Sequence, residues 1–480
     1  KSKSYAVLFP FPAAGHFIPF IALAQLLHKH GYGTVFVATA VNVLNLKNSF
    51  PASSAAVEFA EIPFDAAEHG LPPEADNVDY LPYNHMVRFM DATLSFRTPL
   101  RKIISDLIRK FDGRKPLFIV SDFFFAWTAE VAGEFGIFHL IFSATGGFGM
   151  ACYCSIWVNL PHKSTEKVEF PLPDFPEAGK IHVSQLTPAM FIGGDDDPMT
   201  NFHRRNVESA PNSDGLLLNT IESIDSLGIK YFQRKMEIPV YAIGPLLLSQ
   251  EDRARTGRQS TISTEKCIQF LDEKPPNSVI YISFGSQNTI PAPQMMKLAK
   301  ALQSTRRNFI WVVRPPLGFD LAAEFSPEEW LPEDFLEQTA AEERGLIVSK
   351  WAPQIEILAH ESVGAFISHC GWNSVLETLK YGVPVIGWPI GADQFYNSKF
   401  LVDIAGVCVE VARGISFEIP AEEIEHKIEL MMGEKGEPIR RRALEIKELF
   451  RESVNGRGGS SSSQIAAIEN LFTSALSWNR

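Results

Sequence analysis

The densest run of chemistry-bearing side chains lies between Trp351 and Gln394, WAPQIEILAHESVGAFISHCGWNSVLETLKYGVPVIGWPIGADQ. Its 44 positions hold an indole (Trp351), an amide (Gln354), the turn His369-Cys370-Gly371-Trp372-Asn373-Ser374, a carboxylate (Glu377) and the pair Asp393-Gln394. An indole face can stack on a base, and Gln354 can meet a base edge. Free backbone N–H groups at a helix start take phosphate, and His369, Asn373 and Ser374 can donate to it. Glu377 falls one turn beyond Asn373 on the same helix face, where a carboxylate accepts both hydroxyls of a ribose. A carboxylate beside an amide suits a hydroxyl-rich sugar. Each residue has a bland alternative: Asn373 or Ser374 as a helix cap, Glu377 as a solvated helix acid. As an ordered set they match one ligand with a base, a ribose, phosphates and a sugar. Phe284-Gly285-Ser286 repeats the turn after another strand and offers Ser286 to the same phosphates.

A second pair can do proton chemistry. His16, in PFPAAGHFIP, follows an expected strand at a helix start, and its imidazole can take a proton near neutral pH. Asp122 ends the strand FIVSD, and an Asp bonded to that His would fix its tautomer. In isolation a loop histidine and a helix-capping aspartate are the ordinary readings of both.

The elements that must position these groups alternate between short apolar runs and helical stretches, the mark of parallel α/β sheets. Strands are expected at Tyr5–Phe9, Thr34–Thr39, Val57–Ile62, Leu117–Ser121 and Phe138–Phe142, with a helix from about His16 to His30. A second series follows at Val279–Phe284, Phe309–Val313, Leu346–Val348, Ala365–Ser368 and Val385–Gly387. The stretch from Pro161 to Pro211 reads as irregular loop. With 480 residues, two domains are the natural expectation. The divisions are 1–248, an exposed linker at 249–263, 264–455, and a last helical segment at 456–480 packing back on the first domain. The fold class expected is α/β, two facing doubly wound Rossmann-like domains with a ligand cleft at the strand ends.

A net charge of −12 argues against nucleic acid or an anionic membrane as partner. Five cysteines make no disulfide framework, and no Asn-x-Ser/Thr site occurs, which suits a reducing, cytoplasmic setting. Gly136 to Leu160 is uncharged and long enough to span a bilayer, but reads better as a buried strand, a turn and a buried helix. Asp195-Asp196-Asp197 invites a metal, yet without a flanking strand it reads as a solvated turn, and no metal site is expected. Cys152 and Cys154 have neither zinc nor redox spacing.

Trp351 to Gln394 closely resembles the secondary-product glycosyltransferase box of plant family 1 UDP-dependent glycosyltransferases, which begins with Trp and ends with Gln. The resemblance extends to Pro12–His16, Ser213–Thr220 (SDGLLLNT), Tyr241–Leu246 (YAIGPL) and Ser278–Ser286 (SVIYISFGS). Phe270 stands where Trp is common. The resemblance implies that the two domains form the GT-B type, with a UDP-sugar as co-substrate, no tightly bound cofactor, and a small-molecule acceptor. It assigns UDP to Ser286, Trp351, Ala352, Gln354, His369, Gly371, Asn373, Ser374 and Glu377. It assigns the sugar to Trp372, Asp393, Gln394 and Ser143. His16 and Asp122 match the family's catalytic dyad, which implies inverting single displacement. The terminal Gln394 favours UDP-glucose, since His there often accompanies galactose.

The acceptor pocket is expected among Phe11, Phe89, Phe123, Phe124, Phe148, Met190 and Phe191, and aromatic walls suit a phenol or apolar alcohol. Strand alternation lets only some of the consecutive phenylalanines line it. The whole reads as a monomeric glucosyltransferase. A catalytically silent nucleotide-sugar-binding protein, or the same enzyme with another UDP-sugar, are the alternatives. A dehydrogenase is disfavoured, because the turn from Phe11 to His16 lacks Gly-x-Gly-x-x-Gly.

Overall fold

A computed structural model describes residues 4–49, 57–73, 75–78, 81–192, 194–248, 262–285, 289–320, 323–412, 418–455 and 464–478. The chain forms two α/β units. Lys1–Ile181, Pro188–Gly257 and Ser453–Arg480 make the first, and His182–Thr187 with Arg258–Glu452 the second. The chain thus passes between units at His182–Thr187 and near Ser453 as well as at the main boundary. Most of the expected linker (249–261) and the expected break at 456–463 lie outside the described residues.

The first unit is built on β1 (Tyr5–Phe9), β2 (Gly33–Ala38), β3 (Val57–Glu61), β4 (Phe118–Asp122), β5 (Phe138–Ser143), β8 (Gly215–Leu218) and β9 (Val240–Ala242). They form one parallel sheet in the order β3-β2-β1-β4-β5-β8-β9. The short strands β6 (Glu169–Pro171) and β7 (Lys180–His182) pair separately. β1, β4 and β5 are buried along their whole length, because an inner parallel strand is covered on both faces, which is why they read as unbroken apolar runs. The edge strand β3 keeps partial exposure. Leu8, Phe36, Phe118, Phe142 and Leu217 of the strands meet Phe20 and Leu23 of α1 (Ala14–Lys29) in one core.

The chain order reverses between β1 and β4, which is the switch point where a doubly wound sheet opens to ligands. Phe9 lies opposite Ser121 in that pairing, so the residues following β1 and those ending β4 emerge together. After β5 comes α2 (Gly147–Asn159), a buried helix of 13 residues. Among the described residues no helix is long and apolar enough to cross a membrane.

The stretch from Pro161 to Pro211 is more ordered than its sequence suggested. Besides β6 and β7 it holds α3 (Pro198–Ser209). Asp197 caps α3, its Oδ1 accepting from the N–H groups of Met199 (2.9 Å) and Thr200 (3.3 Å). The acidic run is thus a helix start, with Pro198 in the first turn, where a missing N–H costs nothing. Among the described residues no cluster of three His, Cys, Asp or Glu side chains could hold a metal. α4 (Glu222–Met236) follows β8, and its buried Asp225 accepts from the N–H groups of Gly147 (2.6 Å) and Phe148 (2.9 Å) at the start of α2.

The second unit has β10 (Val279–Ser283), β11 (Asn308–Val313), β12 (Gly345–Ser349), β13 (Val363–Ser368), β14 (Val385–Gly387) and β15 (Cys408–Glu410). They pair in parallel in the order β12-β11-β10-β13-β14-β15, with the switch point between β10 and β13. Ile282, Trp311 and Ile367 anchor its core with Leu298 and Phe335. The site-bearing helices are α5 (Gln354–Ala359), α6 (Trp372–Tyr381) and α7 (Gln394–Phe400). The excursion His182–Thr187 is tied to α7 by a buried bond from the Tyr396 hydroxyl to the Gln185 carbonyl (2.9 Å).

The last helix, α8 (Gln464–Ser477), belongs to the first unit. Ile468 and Leu471 enter its core, and burying two such side chains contributes about 3–6 kcal/mol before ordering costs. Gln464 Nε2 donates to the Ile243 carbonyl (2.8 Å) and Trp478 Nε1 to Asp214 Oδ1 (3.0 Å).

Candidate functional site

In the second unit the turn after β13 begins α6. Ser368 Oγ accepts from the Cys370 N–H (3.1 Å), and Cys370 takes the left-handed conformation (φ 62°). A non-glycine residue there costs about 1–3 kcal/mol and has to be held by its surroundings; the Cys370 side chain is fully buried. The sequence placed this turn at Gly371, which instead caps α6 in extended backbone. Helix α6 starts at Trp372, and among the described residues no side chain caps it. The positive end of the helix dipole lies at this turn, which suits an anion.

His369 stands between two glycines. A Cβ on Gly285 would lie 2.5 Å from His369 Nε2 and one on Gly371 2.4 Å from it, so both glycines are required by the ring. Burial, and secondarily the Arg314 charge, push its pKa down to about 4. The imidazole is therefore neutral near pH 7, with one nitrogen donating and the other accepting. Its Nδ1 is buried with no hydrogen-bond partner among the described residues. Ser286, expected beside it, lies outside the described residues.

Glu377 is not a solvated helix acid; it is 2% exposed. Gln354 Nε2 donates to Glu377 Oε2 (2.7 Å) and to Ser374 Oγ (3.1 Å), while the Tyr281 hydroxyl donates to Gln354 Oε1 (3.2 Å). Both N–H bonds of the Gln354 side chain are engaged within the protein. It therefore braces Glu377 and Ser374 through its nitrogen. Trp351 is half-buried and Ala352 buried beside it. The Arg314 guanidinium lies over the indole, 5.5 Å from the ring centroid.

At the far end of the run, Asn397 Nδ2 donates to Asp393 Oδ2 (2.9 Å) and to the Cys370 carbonyl (3.1 Å), locking the start of α7 to the turn that starts α6. Gln394 Oε1 accepts from the N–H groups of Ile390 (3.0 Å) and Gly391 (3.1 Å), so its nitrogen is the end left for a ligand. The Trp372 ring is buried edge-on against Phe400, 5.7 Å between centroids. Its indole is packing, and only other parts of the residue can meet a sugar.

In the first unit His16 is the third residue of α1. Its Nδ1 lies 2.7 Å from Asp122 Oδ2, with the His side chain 26% exposed and the Asp 1%. Asp122 Oδ1 accepts from the Phe124 N–H (3.0 Å), so this carboxylate both caps the following turn and orients the histidine. A carboxylate on Nδ1 makes that nitrogen the donor and leaves Nε2 as the basic one.

The seven expected pocket residues do not share one environment. Phe11, buried Phe89 and Phe124 gather beside His16: the rings of Phe11 and Phe124 lie 5.5 and 5.6 Å from the imidazole, and Phe89 lies 6.3 Å from Phe11. Of Phe123, Phe124 and Phe125 only Phe124 keeps exposed surface; Phe123 packs against Phe232 in the core. Phe148 is buried against Phe175. Met190 is buried, whereas Phe191 is 49% exposed and lies near His162. Ser143 is buried at the end of β5, its Oγ donating to the Thr145 carbonyl (3.3 Å).

Sequence reasoning missed Phe202 and His203 of α3, which meet Phe124 at 5.6 and 5.5 Å. His203 also stacks on Trp157 (4.5 Å), bonds the Tyr153 hydroxyl (3.1 Å), and is held neutral by burial, which pushes its pKa down to about 3. The Asp197-Pro198 helix start was the signal that could have found them. Tyr281, Arg314 and Asn397 were missed as well, and of these only Asn397 carried a local signal, four residues after Asp393.

Family models match both halves of the chain: "Glycosyltransferase, N-terminal domain" over residues 3–248 and "UDP-glucoronosyl and UDP-glucosyl transferase" over residues 250–431. UDP-glycosyltransferase 92A1 of Arabidopsis thaliana is 42% identical over 98% of this chain and 96% of its own. Crocetin glucosyltransferase 3 of Crocus sativus is 36% identical, covering 96% and 97%. The solved structure of Glycyrrhiza uralensis UGT73P12, complexed with glycyrrhetinic acid 3-O-monoglucuronide, superposes with a TM-score of 0.82 at 25% identity, covering 99% of this chain and 96% of that one.

Proposed function

The chain belongs to the plant family 1 UDP-dependent glycosyltransferases, and from that footing we propose that it transfers glucose from UDP-glucose to a hydroxyl of a small hydrophobic or phenolic plant metabolite, with inversion. The observation that carries the chemistry is the His16–Asp122 pair at 2.7 Å, with its aspartate buried and doubly engaged. His16 Nε2 takes the proton of the acceptor hydroxyl as its oxygen bonds to the sugar's anomeric carbon. The bond from that carbon to the diphosphate breaks, UDP leaves, and an α-linked donor gives a β-glucoside. Asp122 stabilises the imidazolium so formed. The first-turn N–H groups of α6 and the neutral His369 meet the charge on the leaving diphosphate.

Trp351 takes the uracil face and Glu377, braced by Gln354, the ribose diol. Asp393 and the Gln394 amide nitrogen take the glucose hydroxyls. The name of the Crocus relative supports glucose as the sugar. Phe11 and Phe124, flanking His16, form the aromatic part of the acceptor pocket, with Phe202 behind Phe124. The same reading has the enzyme act as a cytoplasmic monomer with no cofactor besides the co-substrate.

The test is incubation of the full chain with UDP-glucose and a panel of phenolic, flavonoid and terpenoid acceptors, read by mass. The anomeric configuration of any product is then read from its proton coupling. A hexose adduct with β configuration is expected. No adduct with any acceptor, or an α-configured product, refutes the proposal.

A further inference from the structure

Between β4 and the helix Thr128–Phe135 the chain makes the turn that carries Asp122 and Phe124, and a buried polar cluster holds it from behind. Ser121 of β4, Thr128, His139 of β5 and Ser213 all belong to the first unit and are at most 3% exposed. Thr128 Oγ1 donates to the Phe125 carbonyl (2.7 Å) and lies 2.7 Å from Ser121 Oγ and 2.8 Å from His139 Nε2. Ser121 Oγ is 3.1 Å from the same ring nitrogen, and Ser213 Oγ is 3.0 Å from His139 Nδ1. With the Thr128 hydroxyl given to the carbonyl, Nε2 donates to Thr128 Oγ1 and Nδ1 accepts from Ser213. The His139 main chain is fixed as well, its N–H donating to Asp214 Oδ2 (2.9 Å).

The atoms held in this way bracket the proton-transfer pair. Ser121 precedes Asp122, and Phe125 ends the turn that follows it. Between them Asp122 meets His16 at 2.7 Å, and the Phe124 ring lies 5.6 Å from the imidazole. In the sheet register β4 is last paired at Ser121 with β1 and at Asp122 with β5. Past that point side chains take over: the Thr128 bond to Phe125, and Asn206 Oδ1 of α3, which accepts from the Ala126 N–H (3.2 Å). A buried polar cluster adds little net stability, because each group gives up water to make its bonds. What it imposes is one arrangement, since every donor needs its acceptor in place.

We propose that Ser121, Thr128 and His139 are positioning residues for the proton transfer, holding the β4 turn so that Asp122 stays in reach of His16 with Phe124 beside the imidazole. This deepens the His16–Asp122 reading and rests on it.

The test uses the full chain with UDP-glucose and the phenolic acceptor that the panel above shows to be turned over fastest. Rates are taken per folded enzyme, well below the melting temperature. Thr128→Val, which keeps the shape and removes the hydroxyl, should lower kcat at saturating substrates about 10-fold, because a displaced base loses alignment with the reacting atoms. UDP affinity by calorimetry should stay at the wild-type value. Thr128→Ser, which returns the hydroxyl, should restore most of the rate. In a His16→Ala background Thr128→Val should change the residual rate by less than about 2-fold, because the pair it positions is already gone. A kcat close to wild type with only a lower melting temperature overturns the inference. So does an equal fall in the His16→Ala background, or a loss of UDP affinity together with kcat. If Thr128→Val does not fold, Ser121→Ala loosens the same hold from the strand side and is judged by the same criteria. Wild-type turnover by His16→Ala, or no transfer by the wild-type chain, refutes the dyad reading itself, and this inference with it.

Discussion

The two units both put their chemistry after the ends of parallel strands, but by different means. In the second, the expected ligand groups from Trp351 to Gln394 follow β12, β13 and β14 in one continuous run. In the first, His16 follows β1 and Asp122 ends β4, the strands that flank the switch point, but 106 positions separate them. One site is written along the chain; the other exists only because two distant strands became neighbours. Under the proposed function, the difference follows from what each unit would hold. A nucleotide-sugar is long and needs an ordered series of contacts, which three successive strand-to-helix passages can supply. A proton relay needs two atoms at one distance, which any two adjacent strands can supply.

The sharpest way to break this contrast is His16→Ala. Removing a general base should lower transfer by about 100- to 10,000-fold. UDP affinity measured by calorimetry should stay at the wild-type value, because nothing in the run from Trp351 to Gln394 is altered. A variant that lost UDP binding as well would mean the two sites are not separable.

Next in size is Glu377→Ala. Losing the charged acceptor for the ribose hydroxyls should weaken UDP by about 10- to 100-fold. The kcat at saturating donor should change far less, and an equal fall in kcat would move Glu377 into the chemistry. Gln354→Ala should act in the same direction by about 10-fold, since a hydrogen bond to a buried carboxylate is removed. If the Glu377 substitution is already present, Gln354→Ala should add little, because the partner it braces is gone.

The smallest expected effect belongs to the first unit's scaffold. Burial pushes the Asp225 carboxyl up to about 7, against the pull of the N–H groups it accepts. Its pKa is thus raised by folding from an ordinary 3.8, so between about 4 and 7 the folded chain holds a proton the unfolded chain has released. Stability therefore falls as pH rises through that window and levels off above it. Relative to Asp225→Asn, the wild-type melting temperature should drop by roughly a few degrees across the window. Parallel melting curves for the two proteins would show that Asp225 does not titrate there.

What was legible in the sequence divides along the same line. Inner parallel strands such as β4 and β13 read clearly, since burial on both faces demands unbroken apolar runs. The short strands β8, β9 and β15 did not. The ligand run was readable because its groups are close in sequence, yet the work of Gln354 was not. That depends on the Tyr281 hydroxyl, which reaches it from a strand 73 positions earlier. The left-handed residue expected at Gly371 is Cys370, and Gly371 is instead kept to glycine by the His369 ring, 2.4 Å from where its Cβ would lie. Arg314 gave no local sign at all. Among the aromatics, composition suggested a pocket, but only the tertiary arrangement separates Phe124, beside His16, from Phe123, in the core.

Helix α8 sets an order of events. Its bond from Gln464 to Ile243 spans 221 positions, and that from Trp478 to Asp214 spans 264. At ribosomal speeds of about 5–20 residues per second, the strand β9 waits roughly 10–50 s for the helix that completes its core. All of the second unit except His182–Thr187 is synthesised within that interval, and it can fold while the first is still missing a piece. During this time Leu217, Tyr241 and Ile243 lack their last cover, an opening for chaperones or for self-association. The half of the protein that begins first is thus the half that finishes last, and its vulnerability on the ribosome follows from where the final helix docks.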